Sequence, residues 1–185
     1  TVPDPPVEAP GSLGGADADP GRGIRFGLGF PMLEVSSDSL NQDIAGGKFS
    51  DTGLMLNLEV MLGAFQLGYV RQLYRKSLDA DVTYNGSQAD TLAFDADQVW
   101  GFHVFRAGGS LTFAYGLGLQ RRAVRVLLND VTIFEEAETG LLAGLTADWT
   151  FAPPFSLQLR LFQDLSGDTL RQRGVSLQLN YGRGF

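Results

Sequence analysis

Eight segments of this chain alternate apolar residues with polar or small ones at period two, and that pattern leaves few folds open. Around 23–34, Ile24, Phe26, Leu28, Phe30 and Met32 share one face, with Arg25, Gly27 and Gly29 on the other. Around 52–63, Leu54, Leu56, Leu58, Val60 and Leu62 alternate with Met55, Asn57, Glu59 and Met61. The same pattern runs over 65–76, 92–105, 110–127, 133–151 and 155–165, and from near Leu170 to the end. Alternation this sustained predicts half-buried strands. In 92–105 it places Trp100, Phe102 and Val104 on the apolar face and Gly101 and His103 opposite.

The connections predict the topology. Gly63-Ala64 and the stretches 106–109 and 152–154 read as tight turns, while 36–51 and 77–91 are long; 129–130 and 166–168 are shorter and polar. Short turns at one end and longer loops at the other predict an all-β, eight-stranded, antiparallel up-and-down barrel over 23–185, with both chain ends on the short-turn side. Residues 1–22 are acidic and rich in Pro and Gly, which predicts an extended arm. A length of 185 residues suits one barrel domain, and 44% apolar residues argue against overall disorder. A chain without Cys makes neither disulfides nor thiolate metal sites, and a net charge of −7 argues against nucleic acid as a partner, since phosphate binding needs a basic surface.

Alternation alone does not say which face is outside. A soluble ligand-binding barrel would turn its Leu and Phe inward. The polar face here is rich in Gly, Ala, Ser and Thr, which suit a narrow lumen, and the whole barrel carries only two lysines, Lys48 and Lys76. Tyr69, Trp100, Phe102, Phe113, Tyr115 and Trp149 lie on the apolar face as read and are expected to face lipid. A transmembrane barrel is therefore expected. Arg71 falls on that same face, which predicts a bulge or a strand leaving the bilayer early.

The last strand runs from Gly174 to Phe185, with Val175, Leu177, Leu179, Tyr181 and Phe185 on one face. It resembles the terminal strand of bacterial outer-membrane β-barrels, in which the aromatic end is recognised during insertion. The resemblance implies that Tyr181 and Phe185 form that signal; Arg183 departs from the family pattern. The barrel as a whole resembles small outer-membrane proteins of the OmpA-barrel and OmpW-like type. That implies a bacterial outer membrane, periplasmic N- and C-termini, and outer-membrane lipids and lipopolysaccharide as surroundings.

With the apolar face outward, Arg25, Glu59, Arg122, Asp148 and Arg160 point into the lumen beside Asn57, Gln66, Gln158 and Gln178. Charges taken from water must be paired, so an interior network is expected, with Arg25 and Glu59 as a candidate pair. An eight-stranded barrel is filled by side chains, which argues against a general porin.

Some small outer-membrane barrels are lipid-modifying enzymes that work through a His with a nearby Ser, Asp or Glu. The single His, His103, is followed by Val104 and Phe105 and is expected to be an interior histidine, so no catalytic residue is assigned and no cofactor is expected. The long loops carry Asp38, Asp43, Asp51, Asp79, Asp81 and Asp90, but without ligand spacing, so no metal site is assigned. Asp95 and Asp97 share a face and could line the outer mouth of the lumen. Arg121, Arg122 and Arg125 oppose Glu135, Glu136 and Glu138, which reads as cross-strand pairing, with contact to lipid phosphates as the alternative.

The function expected from all this is a non-enzymatic accessory subunit of a cell-envelope assembly, with a protein partner contacting the arm. A narrow conduit or binder for small or hydrophobic solutes, a lipid-modifying enzyme and a soluble ligand-binding barrel are the alternatives.

Overall fold

The computed structural model describes residues 22–40, 44, 48–79, 82–166 and 169–184. The expected arm, apart from Arg22, and the terminal Phe185 lie outside them. Eleven strands are present: β1 (Gly23–Ser37), β2 (Lys48–Thr52), β3 (Leu54–Leu62), β4 (Phe65–Ser77), β5 (Thr83–Tyr84), β6 (Ser87–Gln88), β7 (Thr91–Gly108), β8 (Leu111–Leu128), β9 (Val131–Ala152), β10 (Phe155–Asp164) and β11 (Leu170–Gly184). The short pair β5–β6 is a small hairpin in the loop between β4 and β7. The others form one antiparallel sheet in which β11 also pairs with β1, closing the barrel.

β2 and β3 are one wall strand interrupted at Gly53, both pairing with β1 in a single register. Pro31 is the cause, because it offers no amide to the ladder. Its carbonyl still accepts from the Gly53 amide at 2.9 Å. The wall therefore has eight strands. Tight turns stand at Gly63-Ala64, Gly109-Ser110 and Pro153-Pro154, at the end where the described chain begins and finishes.

The register fixes the shape. A hydrogen-bonded row runs from Leu62 through Phe65, His103, Tyr115, Leu145, Leu161, Val175 and Met32. It returns to its starting strand at Thr52, ten residues from Leu62. A stagger of that size over eight strands gives a tilt of about 40° and a wall about 8 Å from the axis, by ordinary strand spacings.

The lower wall is a membrane protein's: Phe26, Leu28, Leu117, Leu119, Leu145, Leu177 and Leu179 are exposed on the outside. Glu59, Asn57, Gln158, Ser176, Gln178 and Asn180 are buried inside. A lower arc of Phe105, Phe113, Trp149, Phe155 and Tyr181 lines the short-turn end across β7–β11. On β9 ten residues separate Trp149 from Thr139, beside the first outward charges, which is about 25 Å along the axis at this tilt.

Above those charges the polarity reverses. Leu33, Val35, Phe49, Tyr74, Phe94, Val124, Val126 and Leu170 face inward and form a buried apolar core, joined by Leu40 and Ile44 from the loop after β1. This end of the barrel is built like a soluble protein.

Two expectations about faces are corrected. Trp100 and Phe102, expected against lipid, each retain 1% exposure and lie in the lumen, with Val104. His103, expected inside, is exposed on the outer wall, where its ring meets Phe65 and Tyr115 at centroid distances of 5.5 and 5.4 Å. The cause is room. Gly116, Gly118, Gly144 and Gly174 all lie on inward positions; a Cβ at Gly118 or Gly144 would come within 2.8 Å of the Trp100 ring, and one at Gly116 within 2.6 Å of Phe102. Large rings on β7 occupy the space these glycines vacate on β8 and β9.

A Gly118→Leu chain is thus expected to lose the heat-resistant folded band in gel mobility, with Trp100→Ala in the same chain restoring it. Normal folding of the single variant would refute this account of the lumen.

Candidate functional site

The lumen is the densest polar site. Arg25 and Glu59 are direct cross-strand partners on β1 and β3, and Arg25 donates to the Glu59 carboxylate at 2.6 Å. The same guanidinium reaches across the barrel to Asp148 at 2.6 Å and to the Gln66 carbonyl at 3.3 Å. Arg160 donates to the other oxygen of Glu59 at 2.7 Å and to Gln158 at 3.2 Å. Glu59 is fully buried and bridges two cations, and with Asp148 the cluster is neutral. Around it, Asn57 donates to Gln178 at 2.9 Å, and Gln178 to Ser176 at 3.2 Å.

Arg160 is also stacked. Its guanidinium carbon lies 5.7 Å from the Trp100 ring centre and 5.3 Å from that of Phe102, and the two rings stack on each other at 5.1 Å. Its Nε and Nη1 have no protein hydrogen-bond partner, so the ring faces supply that side of the cation's environment. The Trp100 indole in turn donates to Gln98 at 2.9 Å.

Arg122 belongs to a second cluster nearer the long loops. It is buried and pairs with Asp164 and, at 3.0 Å, with Glu138. Gln120 donates to Asp164 at 3.1 Å, and Glu138 also accepts from the Leu170 amide at 3.0 Å. Glu136 accepts from the Ser37 hydroxyl at 2.6 Å. These carboxylates reach from β9 to β1 and β11 where β10 has already ended. The expectation from sequence contained Arg122, Glu136 and Glu138 but not Asp164. Its even-numbered position beyond Ser156, Gln158 and Arg160 was the available signal, interrupted by Phe162.

On the outer wall, Arg71 stays in continuous register with no bulge. It pairs with Asp97 at 2.9 Å, and the Tyr69 hydroxyl donates to the same carboxylate at 2.5 Å. Asp95 pairs with Arg125 at 2.5 Å. Asp95 and Asp97 therefore face outward and do not line the lumen mouth. Rows climb as they circle the tilted barrel, so Arg71–Asp97, Arg121 and the Glu34–Arg173 pair come within roughly 10 Å of one height. Together they mark the upper edge of the apolar band. Tyr69, Tyr115, Trp149 and Tyr181 are exposed on that band, and Phe113 is half-buried on it.

Removing Glu59 by Glu59→Ala leaves two buried guanidiniums with one carboxylate and should cost about 3–5 kcal/mol. Urea unfolding from lipid vesicles should show a lowered midpoint, whereas Arg173→Ala, in an exposed pair, should leave it unchanged.

No protein-family model and no curated protein sequence matches the chain. Solved structures do. The attachment invasion locus protein Ail of Yersinia pestis, crystallised with the heparin analogue sucrose octasulfate, has a TM-score of 0.62 at 14% identity, covering 88% of this chain and 99% of that one. Neisserial surface protein A gives 0.67 at 12% identity, over 85% and 96%. The outer membrane protein OprG of Pseudomonas aeruginosa gives 0.61 at 13%, over 90% and 98%. At these identities the likeness concerns architecture. The chain has the fold of the small eight-stranded outer-membrane β-barrels.

Proposed function

We propose that this protein is a non-enzymatic barrel of the bacterial outer membrane, serving as a structural or accessory subunit of a cell-envelope assembly. The observation that carries this reading is a lumen occupied by side chains at each level. The Arg25–Glu59–Arg160–Asp148 cluster occupies the membrane section, the Trp100–Phe102 stack lies against it, and an apolar core with Leu40 and Ile44 fills the upper end. A narrow conduit would have to break a neutral, largely buried ion network, which opposes that alternative. A lipid-modifying enzyme finds little support in His103, which stands between two aromatic rings on the outer wall.

In this reading the short turns and both chain ends face the periplasm and the longer loops face outward, as barrels inserted from one side are built. The surface is then what the protein offers, an apolar band to lipid and lipopolysaccharide, with a protein partner as its second contact. The Pro-rich segment 1–22 is the candidate partner-facing element.

Two measurements test this. Planar-bilayer recordings of the purified protein should show no defined single-channel conductance, and steady openings would overturn the closed-anchor reading. Mild detergent extraction of the native membrane should yield a complex larger than the barrel that loses components when 1–22 is deleted. A lone barrel in both preparations would sink the accessory role.

A further inference from the structure

On the outer wall of β7, β8 and β9, two consecutive outward rows differ in chemistry. Asp97, Arg121 and Thr139 are register partners in the upper row, and Val99, Leu119 and Leu141 in the row below. Together with Gly140 and Ser166 they line a groove of about 600 Å³. Below it, the small residues Gly101 and Ala143 flank Leu117, and the apolar wall continues to Tyr115 and Leu145.

Arg121 is exposed at the head of this track. Its cross-strand neighbour Asp97 is already engaged by Arg71 and Tyr69. Arg125 and Arg173 have carboxylate partners, while Arg121 has no ion pair or hydrogen bond among the described residues. Beside it stand the Thr139 hydroxyl and the Ser166 hydroxyl, whose oxygen accepts from the Leu141 amide at 2.6 Å and whose hydrogen remains available to donate. A free cation with hydroxyl donors at the rim of the apolar band, above a wall set with small Gly and Ala residues, is complementary to a phosphate carried on acyl chains.

We propose that this track is a binding site for one phosphorylated, multiply acylated glycolipid of the outer leaflet, the lipid A part of lipopolysaccharide. Arg121 takes a phosphate, Thr139 and Ser166 take phosphate or sugar oxygens, and an acyl chain lies over Val99, Leu119 and Leu141 into the gap at Gly101. The assignment to the outer leaflet rests on the orientation given above; the site itself does not.

The test is native mass spectrometry of the full chain in detergent micelles, titrated separately with bisphosphorylated lipid A, dephosphorylated lipid A and phosphatidylglycerol. The wild type should retain one bisphosphorylated lipid A, and Arg121→Gln should weaken retention about tenfold, the size of one charge-assisted contact. Gly101→Phe should weaken it through the acyl track alone; a Cβ there meets nothing within 4 Å, so the variant should fold. Arg75→Gln, at an exposed pair with Asp130, should bind as the wild type does. Equal retention by Arg121→Gln and wild type, or by phosphatidylglycerol and lipid A, overturns the proposal. A protease site placed at 129–130 reports orientation in intact cells. If it is shielded, the outer-leaflet assignment falls while the lipid titration still judges the site.

Discussion

Closure is the constraint from which the rest follows. Eight strands staggered by ten residues leave an interior of fixed, narrow width, and each inward side chain must fit against those from the facing wall. A large group on one strand therefore demands an absence on another. Trp100 on β7 requires Gly118 and Gly144, and Phe162 on β10 requires Gly174, where a Cβ would stand 2.8 Å from its ring. Closure also leaves no sheet edge within the bilayer, which is why the wall can face lipid with its backbone satisfied.

The same narrowness makes charge in the lumen an all-or-nothing matter. A single buried carboxylate would be costly, yet Glu59 stands between Arg25 and Arg160 with Asp148 completing neutrality. These four residues come from β1, β3, β9 and β10, so their pairing ties opposite sides of the wall together. Arg160 adds stacking to ion pairing, coupling the polar section to the aromatic one.

Most of the architecture was legible in the sequence, because alternation reads directly as faces and turn composition reads as chain reversal. The wall strands and the inward set Arg25, Glu59, Arg122, Asp148 and Arg160 followed from that alone. β7 resisted, since Val99, Trp100, Phe102, Val104 and Phe105 are apolar on both parities and supply no phase. The answer was written elsewhere, in the inward glycines of β8 and β9, and alternation within one segment does not compare segments. Arg71 was legible in part: of a bulge or a strand leaving the bilayer early, the unbroken register removes the bulge, and the partner Asp97 lies on the next strand of the wall, which alternation within one segment does not show.

The reversal of polarity along the barrel leaves a mark in the linear chain. On β1 the apolar positions run Phe26, Leu28, Phe30, Met32 and then shift to Leu33 and Val35; on β8 they run Leu117, Leu119 and shift to Val124 and Val126. β11 shows the same change between Leu170 and Val175. β1, β8 and β11 thus each carry a phase slip in their hydrophobic rhythm with no break in pairing register where it falls. Joined around the wall, those slips trace the waterline of the membrane, so a one-dimensional text records where a three-dimensional solvent boundary falls.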